Sequence, residues 1–146
     1  MTKILIKRLS KKVLIPKYET SGSSGMDICA NIETNLNILP GEKEIVPTGL
    51  FLSIPKGFEI QIRPRSGLAA KNGISVLNTP GTIDADYRGE IKVILVNFSN
   101  EEFTVEKNAR IAQMVLCPIV QAELEEVDEL PVTSRGTGGF GSTGVK

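Results

Sequence analysis

Phe58-Glu59-Ile60-Gln61-Ile62-Arg63 alternates apolar and polar side chains residue by residue. Successive side chains of a strand point to opposite faces, so this period of two predicts a strand with one buried face. Two longer apolar runs, Ile91-Lys92-Val93-Ile94-Leu95-Val96 and Ile111-Ala112-Gln113-Met114-Val115-Leu116-Cys117, predict more deeply buried strands. Turn signals recur between such runs: Pro40-Gly41, Pro55-Lys56-Gly57, Asn72-Gly73, Pro80-Gly81, Arg88-Gly89 and Ser99-Asn100. Short strands at this spacing predict an all-β sandwich, jelly roll or barrel. Only residues 66–71 read as a helical turn, with Ser66 as N-cap and Asn72-Gly73 as its end.

The chain has 146 residues, enough for one domain with a real core. Seventeen basic residues balance seventeen acidic ones, so no cationic footprint points to a nucleic-acid polymer or an anionic membrane. The start is basic and only partly apolar; Lys7, Arg8, Lys11 and Lys12 interrupt its apolar runs, and neither a signal peptide nor a membrane span fits. Cys29 and Cys117 stand apart among apolar neighbours, which favours buried free thiols and a reducing cytoplasm. There is no histidine. Ser-His-Asp and Cys-His catalysis are therefore excluded, as are histidine-ligated metals. An enzyme of this composition is expected to use a carboxylate base and, if any metal, a hard ion held by oxygen.

Residues 131–146 cannot form a core. They hold five glycines, three threonines and two serines around Arg135 and Phe140. Glycine lets backbone N–H groups crowd an anion, a guanidinium can grip phosphate in a fork, and an aromatic ring can lie on a planar base. Glycine-rich termini are ordinarily disordered tails, so the rest of the chain has to decide. Gly136-x-Gly138-x-x-Gly141 matches the dinucleotide fingerprint by letter, yet only five residues follow Gly141, too few for the helix that motif must open.

Four internal segments carry more polar groups than turns and strands require. In Gly25-Met26-Asp27-Ile28-Cys29-Ala30 an aspartate interrupts an apolar strand, although a turn aspartate is the simpler reading of that segment alone. Pro64-Arg65-Ser66-Gly67-Leu68-Ala69 places a hydroxyl and open amides where an anion could bind, or simply makes a capped turn. The segment from Asn78 to Gly89 looks like a β-hairpin with a polar tip, where Asp84 and Asp86 share a face if the chain is extended. Arg110 and Gln113, three apart, fall on opposite faces of a regular strand.

In this order the segments resemble the trimeric dUTP pyrophosphatase (dUTPase) family. Five motifs carry the likeness: Gly25 to Ala30, Pro64 to Ala69, Gly81-Thr82-Ile83-Asp84-Ala85-Asp86-Tyr87-Arg88-Gly89-Glu90, Arg110-Ile111-Ala112-Gln113-Met114, and the tail from Arg135 to Gly144. Ile28 stands where leucine is common and Ala85 where serine is frequent; neither departure removes a functional side chain.

The resemblance implies a jelly-roll-like β barrel over residues 1–130 and a homotrimer with active sites between subunits. Residues 131–146 would form a flexible arm closing over a neighbouring site. The implied reaction is hydrolysis of dUTP to dUMP and pyrophosphate with Mg²⁺. Asp84 would orient and activate the attacking water. Asp27 would meet the magnesium through water. Arg65, Ser66 and Gly67 would contact phosphate with help from Gln113, and Arg135 would clamp the γ-phosphate with the amides of Gly141 and Ser142. Asn78, with the backbone at Thr82 and Ile83, would read uracil; Tyr87 would pack beneath deoxyribose; Lys92 would line the pocket; Phe140 would stack on the base. The related dCTP deaminases share the barrel and trimer but not the complete tail and hairpin motif. A non-catalytic dUTP-binding trimer would not need the catalytic side chains, all of which are present.

Overall fold

The computed structural model describes residues 2–141. Its strands are β1 (Leu5–Arg8), β2 (Gly25–Cys29), β3 (Leu36–Ile38), β4 (Lys43–Ser53) and β5 (Phe58–Arg63), followed after the helix α1 (Ser66–Asn72) by β6 (Ile74–Val76), β7 (Gly81–Ile83), β8 (Ile91–Asn97), β9 (Phe103–Val105) and β10 (Arg110–Pro118). One antiparallel sheet has the order β1-β4-β8-β6, a second β2-β10-β5-β7, and β3 pairs with β9. The expected all-β, jelly-roll-like architecture is what the chain adopts.

The alternating stretch is β5, with Ile60 and Ile62 buried while Glu59, Gln61 and Arg63 point outward. Ile28, Ile111 and Met114 extend that inner face, and Val46, Leu50, Leu52, Ile91, Val93 and Leu95 of the other sheet meet it in a single core. Asn97 is fully buried among them. Its amide donates to the carbonyls of Ile38 (2.9 Å) and Glu101 (2.7 Å), and its oxygen accepts from the Ser99 amide (2.9 Å). Every group is therefore partnered, which removes the penalty of burying an amide.

Two local readings need correction. Ser66 is not the N-cap of α1: Arg65 occupies that position with extended backbone (φ −91°, ψ 127°) and no side-chain capping bond, so Ser66 is the first helical residue. The other end agrees with the sequence. Gly73 takes the left-handed conformation (φ 65°), and its N–H returns to the carbonyls of Ala69 and Leu68. Second, the segment from Asn78 to Gly89 is not a hairpin. β6 pairs with β8 and β7 pairs with β5, so this segment crosses from one sheet to the other and back. Asp84 and Asp86 sit in a turn closed by the Tyr87 amide on the Asp84 carbonyl (3.2 Å), not in an extended run.

The strand β10 ends at Pro118, and Ile119 makes one further backbone bond, to Gly57 (2.9 Å). Residues 120–137 are exposed throughout. Among the described residues no helix is long and apolar enough to cross a membrane.

Candidate active site

Two groups of polar residues form around the second sheet. The first is organised by Asp27, in the middle of β2 directly opposite Gln113 of β10. Arg65 Nε donates to Asp27 Oδ1 at 3.0 Å, and Arg110 Nη1 lies 3.5 Å from Asp27 Oδ2. Arg65 Nη1 also donates to the Arg110 carbonyl at 3.3 Å. The expectation that Arg110 and Gln113 lie on opposite faces is wrong, and the cause is a β-bulge. Arg110 pairs with Cys29 but Ala112 with Ile28, so β10 carries one extra residue there. That residue cancels the odd spacing and turns Arg110 to the face that holds Asp27 and Gln113.

Two guanidiniums around one carboxylate leave a local surplus of positive charge. It lies beside Ser66 and Gly67, both exposed at the start of α1. The first amides of a helix have no intrahelical acceptor, so charge and open donors coincide there. A β-carbon on Gly67 would meet nothing within 4 Å. Packing in this chain does not explain that glycine.

Gln113 acts within the fold as a tie. Its Nε2 donates to the Pro64 carbonyl at 2.9 Å and so fixes the end of β5 from which Arg65 departs. Its Oε1 lies so close over Gly25 that a β-carbon there would collide with it, while Val115 Cγ2 stands 3.4 Å from the same point. Gly25→Ala should force Gln113 out and free the Pro64 carbonyl, lowering stability by about 1–3 kcal/mol. Thermal melting checks this; an unchanged midpoint would mean that the side chain simply swings aside.

The two thiols are free, as expected, but half-buried rather than buried. Burial raises the pKa of Cys29; nearby Arg110 lowers it, Asp27 raises it, and Arg65 lowers it again. The net rise makes Cys29 a poor nucleophile near neutral pH.

The second group surrounds β7. Thr82, Ile83, Asp84, Tyr87 and Lys92 line a cleft of about 250 Å³ together with Ile45, Glu90 and Ile94. Thr82, Ile83 and Lys92 also line a small recess of about 40 Å³, together with Asn78 and Gly81. Thr82 and Ile83 are held by pairing with Gln61 and Ile60 of β5. Lys92 lies on β8 opposite Pro47 of β4. Asp84 also faces a broader depression of about 650 Å³ with Asp86, Lys56 and Gln121.

The cleft and its recess include none of Asp27, Arg65, Ser66, Gly67 or Gln113. The described residues of the tail line neither the cleft nor its recess. Arg135 Nε donates to the Gly138 carbonyl at 2.8 Å within the tail itself, Phe140 is wholly exposed, and Gly141 is exposed with φ 83°. Ser142 lies outside the described residues. Sequence reasoning put Arg110 in a motif but gave it no role, and the bulge explains why. Gly89 and Glu90 likewise stand in a motif without a role, although the Tyr87 hydroxyl donates to the Glu90 carbonyl at 3.0 Å.

Known proteins share the sequence and the fold of this chain. The family model described as dUTPase matches residues 11–144. The chain is 57% identical to the deoxyuridine 5'-triphosphate nucleotidohydrolase of Fusobacterium nucleatum over 145 residues, covering 99% of each protein. It is 58% identical to the protein of the same name from Nautilia profundicola, covering 97% of this chain and 99% of that protein. Among solved structures, the dUTPase of Staphylococcus bacteriophage 80alpha with dUpNHpp superposes with a TM-score of 0.88 at 28% identity, over 99% of this chain and all of the phage chain. Sequence motifs, barrel topology and full-length relatives converge, and the chain belongs to the dUTPase family.

Proposed function

We propose that this protein hydrolyses dUTP to dUMP and pyrophosphate, by attack of water on the α-phosphorus. The observation that carries the reading is the cleft at β7, where a carboxylate, a tyrosine ring and the backbone of a short strand meet beside Asn78 and Lys92. Asp84 is the base, accepting the proton of the attacking water. Its position at an exposed turn leaves it open to solvent and substrate.

Asn78 and the backbone of Thr82 and Ile83 recognise uracil. Cytosine would present donors where acceptors are needed, and each buried group left unpaired costs about 1–3 kcal/mol. Thymine is resisted by the lack of room for its methyl group. Tyr87 packs under the sugar and excludes a 2′-hydroxyl. Lys92 lines the pocket. Arg65, Ser66, Gly67 and Gln113 receive the phosphates, supported by the surplus charge of the Arg65–Asp27–Arg110 cluster.

The cleft and its recess contain none of the residues proposed to receive phosphate, and none of the described residues of the tail. A homotrimer whose sites are shared between subunits brings such parts together. In it the arm of residues 131–146, separate from the barrel of residues 1–130, supplies Arg135, Phe140, Gly141 and Ser142 to a neighbour's site.

The donor set fits magnesium that arrives with the triphosphate. Among the described residues no cluster of three acidic, histidine or cysteine side chains could cage an ion. Asp27 has each oxygen turned to a guanidinium and no charge to spare for a bare ion, but its remaining lone pairs can accept hydrogen bonds from metal-bound water. Magnesium sheds water reluctantly and commonly binds through substrate phosphates. Bound there, the ion would neutralise phosphate charge; Asp27 would orient its water. In a cytoplasmic setting the reaction would limit uracil incorporation into DNA and supply dUMP for thymidylate synthesis.

Pyrophosphate release should be rapid with dUTP and slow with dCTP, dTTP and UTP. Ammonia release from dCTP would instead mark a deaminase, and tight dUTP binding without turnover a non-catalytic binder. Tyr87→Ala should raise use of UTP relative to dUTP by about tenfold or more, because the ring no longer fills the space of the 2′-hydroxyl. Equal losses with both nucleotides would mean that Tyr87 only supports the fold.

A further inference from the structure

Gly89 is a glycine whose backbone does not need to be one. Six described glycines have positive φ, and Gly89 is not among them. Its constraint is space. A β-carbon on Gly89 would overlap the Tyr87 hydroxyl and come within 2.9 Å of a ring carbon. The tyrosine therefore folds back over Gly89, and its hydroxyl donates to the Glu90 carbonyl at 3.0 Å.

That carbonyl is itself held. The Glu90 carboxylate accepts the Gly49 amide at 2.9 Å, and Thr48, fully buried, donates its hydroxyl to the Ile91 carbonyl at 2.6 Å. Thr48 and Gly49 lie at the register shift of β4, between Pro47 and Leu50. An irregularity in one strand thus clamps both ends of the peptide that receives the tyrosine hydroxyl. Tyr87 is nonetheless 44% exposed, and among the described residues this is the only hydrogen bond its side chain makes.

We propose that Gly89 and Glu90 are positioning residues that set sugar selectivity. Gly89 supplies the space into which the Tyr87 ring folds, and Glu90 anchors the acceptor of its hydroxyl to the bulge of β4. The inference rests on the proposed dUTP hydrolysis and assigns its selectivity to residues that need not touch the nucleotide. A displaced ring opens the sugar floor while leaving base and phosphate recognition in place.

The test compares the parent with Gly89→Ala, Glu90→Ala and Glu90→Gln in the full-length protein. It measures kcat/KM for dUTP and UTP, the affinities for their α,β-imido analogues, and thermal midpoints. Gly89→Ala should reduce the preference for the deoxy nucleotide by about tenfold, with a smaller fall in dUTP turnover. Glu90→Ala should reduce it in the same direction, and Glu90→Gln, which keeps an acceptor for the Gly49 amide, should restore it. A folded Gly89→Ala protein with the parent's preference overturns the proposal. Should that variant not fold, equal preferences in Glu90→Ala, Glu90→Gln and the parent overturn it. If the parent does not turn over dUTP, the hydrolytic reading fails, and the analogue affinities still decide whether Gly89 and Glu90 set the sugar preference.

Discussion

Asp84→Asn is expected to suppress hydrolysis strongly while leaving the protein folded and able to bind dUTP. The asparagine has nearly the same shape but cannot take a proton from water near neutral pH. Loss of a positioned base lowers turnover by about 10²–10⁴-fold. The fold should not notice. Asp84 is exposed at a turn whose closing bond uses its backbone carbonyl, and its carboxylate lies outside the three ion pairs among the described residues. Single-turnover kinetics with titration of the α,β-imido analogue separates the two effects. Asp86 provides the control, because it faces the same broad depression two residues on. A dead Asp86→Asn protein beside an active Asp84→Asn protein would reverse the assignment.

Removing residues 135–146 is expected to lower dUTP hydrolysis by about 10²-fold or more while the melting temperature barely moves, because the lost contacts are made only to bound nucleotide. Residues 120–137 are exposed, Phe140 is bare, and Arg135 is engaged only within the tail. Nothing described there stabilises the barrel. Ordering a glycine-rich backbone costs roughly 1–2 kcal/mol per residue, and that cost must be offset by Arg135 on phosphate, Phe140 on the base and amides along the glycines. The imido analogue of dUTP with Mg²⁺ should therefore protect the tail of the intact protein from proteolysis. dUMP, lacking the γ-phosphate, should protect it less. Equal cleavage with and without the analogue would remove the lid mechanism but not the hydrolytic assignment.

The strand at Phe58 to Arg63 was legible because one face is buried and the other is not, which writes a period of two directly into composition. The helix end at Gly73 was legible because only glycine takes that conformation readily. The bulge at Arg110 to Ala112 was not, because an extra residue in a ladder leaves no mark in either strand's own pattern. Counting residues therefore put Arg110 on the wrong face of β10. Asn78 and Pro80-Gly81 signalled a turn, which the Thr79 amide closes on the Val76 carbonyl at 3.1 Å, but could not say where the chain went next. β7 pairs with β5, about twenty residues back, and not with its sequence neighbour. Long-range pairing is set by which apolar faces meet in the core, and local turn chemistry does not encode it. Gly89 looked like an ordinary turn glycine; its demand for space comes from the path of the Tyr87 ring, which only coordinates reveal.

The most direct test is a single turnover of Mg–dUTP in ¹⁸O-labelled water, with mass analysis of both products. Attack at the α-phosphorus in the cleft beside Asp84 predicts one labelled oxygen in dUMP and none in pyrophosphate, with no product formed by Asp84→Asn on the same timescale. Label in pyrophosphate, or no cleavage of dUTP at all, would contradict it.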